Sequence, residues 1–296
     1  MRKIAYSCYV DAHPKFEKEV RRWLWSLIEK LGVDPSNIFI TCSPRVSPQL
    51  VAFIQRHKDV NLFFEERFTD QSPPANKWLQ LKALTDCSQD YSHIVISDCD
   101  KVFLQFSEEW CNESIRACKF VPRPSFSIFE QLFQKYFGVQ PRFVIDNPDP
   151  RDPAKDKRNY VNNHNGGLII VPRQRLKELA LAWRKWIDAL LQEPELLGPN
   201  LRNLDQVAFS IAMHELQSDI NFLPKSFDIG PNVRHIEEQL FSPGSGQLVL
   251  HIHGFDDDEG NIICGDETPE KYRQIIAALN KQYIAWKQLV VDSIAA

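Results

Sequence analysis

His93-Ile94-Val95-Ile96-Ser97-Asp98-Cys99-Asp100 is an apolar, β-forming run that ends in two carboxylates one residue apart. A short apolar run bounded by polar residues predicts a buried strand, and the acids then fall where that strand ends. In an open α/β sheet this end is the ligand-binding rim. Upstream, residues 4–10 form a first apolar run, and residues 11–14 supply a turn. The apolar positions Val20, Trp23, Leu24, Leu27, Ile28 and Leu31 then step by three, four and one, which marks a helix with one buried face that Gly32 closes. Residues 37–41 predict a second strand, 48–57 a second helix, 60–64 a third strand and 75–84 a further helix. The alternation predicts parallel strands joined by helical crossovers, an α/β class.

Downstream, residues 122–137 carry aromatics at helical spacing. Residues 141–163 are dense in Pro, Asp, Lys and Arg, which predicts a long polar loop. A buried strand is expected over 167–171, helices over 173–191 and 203–214, and a short apolar segment over 220–223. The strand over 247–252 delivers His251-Ile252-His253-Gly254. Thr268-Pro269-Glu270 then reads as an N-cap, a first-turn proline and a dipole-compatible acid opening a C-terminal helix. Trp183 and Trp186 at helical spacing are expected in the core, Arg21-Arg22 on an exposed helix face, and the acidic run 256–259 in solvent.

The chain has 296 residues, with 35 basic and 39 acidic side chains and a formal net charge of −4. That balance excludes an overall cationic nucleic-acid binder, so no nucleic-acid partner is expected. At 43% hydrophobic and 25% charged the composition is globular, and a chain of this length buries roughly 75% of its unfolded surface. Seven cysteines with no CxxC pair are expected as buried thiols in a reducing compartment. The apolar stretch after Arg2-Lys3 is too short for a signal-peptide core, and no segment approaches the ~20 apolar residues of a membrane span. A soluble, cytoplasmic protein is expected. No motif speaks to oligomeric state.

Two carboxylates that converge in a turn can hold one ion, and their oxygens suit Mg²⁺ or Mn²⁺, which keep sites for substrate phosphate. A solvated turn with two acids is the plainer alternative for Asp98 and Asp100. His251 and His253 share a side of a regular strand beside a glycine that admits close approach, and an imidazole completing an Asp set suits Mn²⁺. A structural strand histidine is the alternative there. Asn162-Asn163-His164-Asn165-Gly166-Gly167 offers amides to a hydroxyl-rich ligand, or else forms a turn. Asp205 and Gln206 sit near a helix start, where an acid is stabilised whether or not it has a function.

Taken in chain order, a strand-end Asp-Cys-Asp, an Asn-Gly-Gly before a strand, Leu204-Asp205-Gln206 opening a helix, Phe222-Leu223-Pro224 and His251-x-x-Gly254 resemble the glycosyltransferases of the GT-A fold. The chain is most similar to glycosyltransferase family eight, the retaining galactosyl- and glucosyltransferase and glycogenin group, and the resemblance runs from Ile4 to Gly254. It implies a Rossmann-like mixed, mostly parallel sheet flanked by helices, as one domain over 1–296. Within it lie a nucleotide-binding half (1–104), a donor and acceptor half (105–268) and a C-terminal helix (269–296).

The resemblance also implies site roles. Asp98 faces the donor ribose or sugar and joins the metal set, Asp100 binds the metal directly, and His251 is the third ligand with His253 as its substitute. Asn165, with Gly166 and Gly167, lies beside donor sugar and acceptor. Asp205 contacts sugar hydroxyls, and Gln206 approaches the anomeric face. Ala5, Tyr6 and Ser7 border the base, Lys77 reaches toward the nucleotide, and Gly254 closes the late histidine motif. The implied activity is metal-dependent transfer of a hexose from a nucleotide-diphosphate sugar, a uridine diphosphate sugar in the first instance, to a carbohydrate or other hydroxyl acceptor, with retention. The family continues its late glycine with Lys-Pro-Trp, whose Lys binds diphosphate. Here Phe255-Asp256-Asp257-Asp258-Glu259 follows, so a cation from Lys77 or from 155–158 has to substitute. Asp98-x-Asp100-x-Val102 also fits the nucleophile motif of haloacid-dehalogenase-type phosphatases, and loss of Lys-Pro-Trp fits a non-catalytic nucleotide-sugar-binding module.

Overall fold

All seven residues of the first strand, β1 (Ile4–Val10), are buried, as a strand covered on both faces requires. The computed structural model describes residues 3–119, 124–145, 157–231, 248–266 and 268–295. After β1 come α1 (Pro14–Trp25), β2 (Ile38–Cys42), α2 (Pro48–Gln55), β3 (Asn61–Phe64), α3 (Leu79–Thr85), β4 (His93–Ser97) and β5 (Lys101–Gln105). The chain continues with β6 (Arg116–Lys119), α4 (Phe126–Phe137), β7 (Phe143–Ile145), β8 (Arg158–Tyr160), β9 (His164–Pro172) and α5 (Arg173–Gln192). It ends with α6 (Leu204–Glu215), β10 (Asn221–Leu223), β11 (Leu248–His251) and α7 (Glu270–Ala295).

Seven strands are hydrogen-bonded in the order β10-β6-β9-β4-β1-β2-β3. The pairs β1/β2, β2/β3 and β10/β6 are parallel and β6/β9 is antiparallel, so the sheet is mixed and mostly parallel, as expected. By backbone contacts the chain divides into two compact units. One comprises Met1–Ala5, Glu65–Ile96 and Cys111–Leu223, and the other Tyr6–Phe64, Ser97–Trp110 and Pro224–Ala296.

In the unit that holds α1, the helix starts as its sequence dictates. His13 caps it by accepting from Lys15 N, and Pro14 occupies the first turn, where its missing N–H is not needed. The regular helix stops at Trp25, earlier than the apolar spacing predicts, and continues to Lys30 with a wider turn. Ser26 explains the change. Its hydroxyl donates to Trp23 O at 2.8 Å and accepts from Phe103 N at 3.1 Å, so a side chain enters the helical ladder and ties it to β5. Gly32, at φ 63°, ends the segment as expected.

Arg22 departs from the expected exposed face. It is 1% exposed and donates to Gly260 O at 2.6 Å and Asp256 Oδ2 at 3.1 Å, while Lys18 pairs with Asp256 at 3.0 Å. The acidic run after Phe255 is therefore partly buried and fastened to α1 rather than wholly solvated. Trp25 packs on Tyr283 of α7 with ring centroids 5.5 Å apart, which docks the C-terminal helix.

In the other unit, α5 and α6 pack around Trp183, whose ring meets Phe209 edge-on at 5.0 Å. Trp183 and Trp186 are both buried, as helical spacing predicts. The stretch 141–163, expected as a polar loop throughout, carries an antiparallel ribbon of β7 on β8 that pairs Ile145 with Arg158. The β-forming triplet Phe143-Val144-Ile145 outweighs the polar composition around it, and residues 146–156 lie outside the described residues. All seven cysteines are free thiols, five of them buried. Among the described residues no helix is long and apolar enough to cross a membrane.

Candidate functional site

The turn after β4 and the end of β11 build the first cluster by backbone pairing. β11 runs antiparallel to β5 with His251 opposite Lys101, and Ile252 N donates to Asp100 O at 3.1 Å. This register sets His251 beside Asp100. Nε2 of His251 lies 3.3 Å from Asp100 Oδ1, and the ligand atoms of Asp100, His251 and His253 all lie within 4.8 Å of one another. The two stretches expected to meet around one ion therefore do meet. Asp98 is not among those three.

The donor set fits a divalent cation on its own chemistry. Oδ1 of Asp100 is buried and accepts no hydrogen bond among the described residues. His251 Nδ1 lies 2.7 Å from Asp228 Oδ1, and a carboxylate only accepts, so Nδ1 carries a proton; in its neutral, metal-binding form the ring would present the Nε2 lone pair toward Asp100. An imidazole nitrogen 3.3 Å from a carboxylate oxygen offers two ligand atoms once the ring is neutral, and a carboxylate on the far nitrogen is the usual support of a metal-binding histidine.

His253 completes the group in an unusual backbone state, at φ 52°, with its ring centroid 3.4 Å from that of His251. A left-handed non-glycine residue is strained, and such strain concentrates at functional sites.

Burial alone raises the pKa of Asp100, but the fields of His251 and Lys101 outweigh it and hold the carboxyl well below the usual range. Burial likewise raises Asp228, and Lys101 and His251 reverse it. Burial and Lys101 lower His251, but Asp100 and Asp228 raise it further. The neighbouring Glu19 of α1, 3% exposed, is pushed up to about 7 by burial and by Asp100, and it accepts from Cys99 Sγ at 3.5 Å. A proton and a divalent ion are alternatives for the same His251 lone pair.

The second cluster belongs to the other unit. Lys77, on the helical turn Pro73–Trp78, donates to Gly166 O at 3.0 Å and lies 3.5 Å from Asp205 Oδ2. Asp205, in the first turn of α6, is held by its own backbone, because Trp183 Nε1 donates to Asp205 O at 2.8 Å. Asn165 Oδ1 accepts from Gly167 N at 2.9 Å, which folds the amide over the glycine pair. A Cβ on Gly166 would meet Gln206 Cγ at 3.1 Å and Asp205 Oδ2 at 3.3 Å, so these side chains close directly on the backbone. Gln206 Oε1 is buried and accepts no hydrogen bond among the described residues. Thus Asn165, Gly166, Gly167, Asp205, Gln206 and Lys77 assemble as one polar cluster, the grouping their motifs imply.

The remaining expected residues have plainer surroundings. Ala5, Tyr6 and Ser7 are buried in β1, and Tyr6 meets Phe103 edge-on at 5.9 Å. Gly254 takes φ 77°, a conformation that residues with side chains adopt rarely. Of the cations expected near 155–158, Arg158 is paired with Glu130 at 2.9 Å, and Lys155 lies outside the described residues.

No family model matches the chain, and no curated protein matches it. Among solved structures it is similar to galactosyltransferase LgtC. The crystal structure of that enzyme in complex with donor and acceptor sugar analogs shares 13% identity with the chain over 94% of this chain and 95% of that one, at a TM-score of 0.45. A structure of an active-site mutant of LgtC shows the same identity and coverage at a TM-score of 0.47. At these TM-scores the likeness carries no argument about the site, whose chemistry rests on its own side chains.

Two neighbours of this cluster escape sequence reading. Asp228 stands twenty-three residues before His251, and Lys101 directly follows the Asp-Cys-Asp turn. Each is one common residue type with no motif around it. The only available signal is a lysine at the start of a strand that is otherwise apolar through Leu104.

Proposed function

We propose that this protein is a metal-dependent glycosyltransferase that moves a hexose from a nucleotide-diphosphate sugar to a hydroxyl acceptor, with retention of anomeric configuration. The observation that carries it is the β11/β5 register, which sets two imidazoles and a carboxylate within reach of one ion. A mixed nitrogen and oxygen set supports Mn²⁺ over Mg²⁺, which prefers oxygen ligands and retained water.

When bound, the ion supplies Lewis-acid stabilisation to a departing nucleoside diphosphate. Asp100, His251 and His253 would hold it, with Asp98 turned to the donor ribose or sugar. Ala5, Tyr6 and Ser7 border the base, and Gly254 lets the chain turn after the ligands. Asp205 accepts from sugar hydroxyls, Asn165 and the Gly166-Gly167 backbone orient the ring, and Lys77 holds Asp205 in place and adds positive potential for the diphosphate. Gln206 Oε1 stabilises the positive charge that develops at the anomeric carbon. No side chain identifies itself as a covalent nucleophile, so the acceptor oxygen bonds the anomeric carbon on the face from which the nucleoside diphosphate departs, and the hydroxyl proton passes to the departing phosphate oxygen.

The test is the release of nucleoside diphosphate from a panel of nucleotide-sugars, with Mn²⁺, with Mg²⁺ and with chelator. Turnover with Mn²⁺ that chelator abolishes is expected. Cleavage of phosphomonoesters with no turnover of any nucleotide-sugar would replace this activity with a phosphatase, and binding without turnover would replace it with a binding module.

A further inference from the structure

Asp228 and Lys101 form an ion pair at the back of the candidate metal ligands, and neither side chain is among those ligands. Lys101 is wholly buried, one residue after Asp100, and its ammonium reaches the Asp228 oxygen that also receives His251 Nδ1. A buried ammonium next to a divalent ion is repulsive unless its charge is matched. Asp228 matches it. With the pair intact, two neutral imidazoles and the single negative charge of Asp100 face the ion, so an ion with two positive charges keeps a net positive charge for a phosphate group.

We propose that Asp228 and Lys101 are positioning residues for the metal site: Asp228 fixes His251 in the Nδ1–H tautomer with Nε2 toward Asp100, and Lys101 fixes Asp228 while setting the charge left on the ion. This rests on the metal site of the proposed function. The chain has a separate reason for keeping both members together. Neutralising Asp228 alone weakens the acceptor on Nδ1–H and takes the nearest negative charge away from Lys101 beside the ligands. Neutralising both side chains leaves their summed charge at zero, as in the intact pair, and the oxygen of an asparagine still accepts from Nδ1–H.

The experiment is a Mn²⁺ titration of the full chain, followed by the loss of the free-ion electron paramagnetic resonance signal, on the unmodified protein, Asp228→Asn, Lys101→Met and the double variant. Asp228→Asn is expected to bind about tenfold or more weakly, and the double variant within about threefold of the unmodified chain. A thermal melt of each variant checks folding. A second measurement needs no substitution: the imidazole nitrogen shifts of His251 in the metal-free protein at alkaline pH, where the proton is expected on Nδ1. A proton on Nε2, an Asp228→Asn titration that overlays the unmodified one, or a double variant as weak as Asp228→Asn overturns the inference while leaving the transferase intact. An unmodified chain that binds no Mn²⁺ overturns both.

Discussion

His253 lies flat against His251, ring centroids 3.4 Å apart and planes tilted by 35°, and it does so from a left-handed backbone. Strain of this kind costs on the order of 1 kcal/mol and persists when something else holds the residue there. His253→Gly removes the strain and the imidazole together. Its melting temperature should equal or exceed that of the unmodified protein, while Mn²⁺ affinity falls by about tenfold or more. Unchanged affinity in that variant would remove His253 from the ligand set.

Gly166→Ala adds one methyl where Gln206 Cγ and Asp205 Oδ2 stand 3.1 and 3.3 Å away. The flexible side chains must give way rather than the backbone, so the fold should lose only about 1 kcal/mol. Turnover of nucleotide-sugar should fall by roughly a hundredfold, because Gln206 and Asp205 move off their positions. Assaying kcat and KM beside a denaturation curve separates the two effects.

His164 is fully buried beside Ser210, its Nδ1 3.3 Å from the hydroxyl, and burial pushes its pKa down to about 3. The unfolded chain takes up this proton near the ordinary histidine pKa of about 6.5, so the unfolded state binds more protons throughout the window between the two values. Stability should therefore drop as pH falls from about 6.5 toward 3, by about 1.4 kcal/mol per pH unit from this group. Denaturant titrations at several pH values across that window should show a shallower slope for His164→Asn than for the unmodified chain.

Arg22→Leu should destabilise the chain by about 3 kcal/mol, since it strips a buried guanidinium from a buried carboxylate. Asp256 is 2% exposed in its side chain and, among the described residues, would keep Lys18 as its one cationic partner. The double variant Arg22→Leu with Asp256→Asn should recover a large part of that loss. Chemical denaturation of the two variants measures it, and equal losses would show that Arg22 acts through packing alone.

Much of the fold is legible because it rests on periodicity. The runs that become β1, β4 and β9 are apolar on both faces, and Val20, Trp23 and Leu24 mark the buried side of α1. The helix break at Ser26 is not legible, since one hydroxyl bonding across to Phe103 decides it. β7 and β8 stay hidden because three-residue strands surrounded by Pro, Asp and Arg leave no periodic signal. At the site, Asp100, His251 and His253 could be named from spacing and chain order. Asp228 could not, because only the fold brings a lone acid on a loop to the back of a histidine.

The fastening of Asp256 to Arg22 and Lys18 also bears on the proposed transfer reaction. The chain beyond Gly254 is engaged in holding its own helix and brings an acid where a free cation would be useful. Under the transferase proposed above, neutralisation of a departing pyrophosphate would fall on the ion and on cations outside this segment. On that proposal the protein should release its nucleotide readily, and its turnover should depend steeply on the concentration of free manganese.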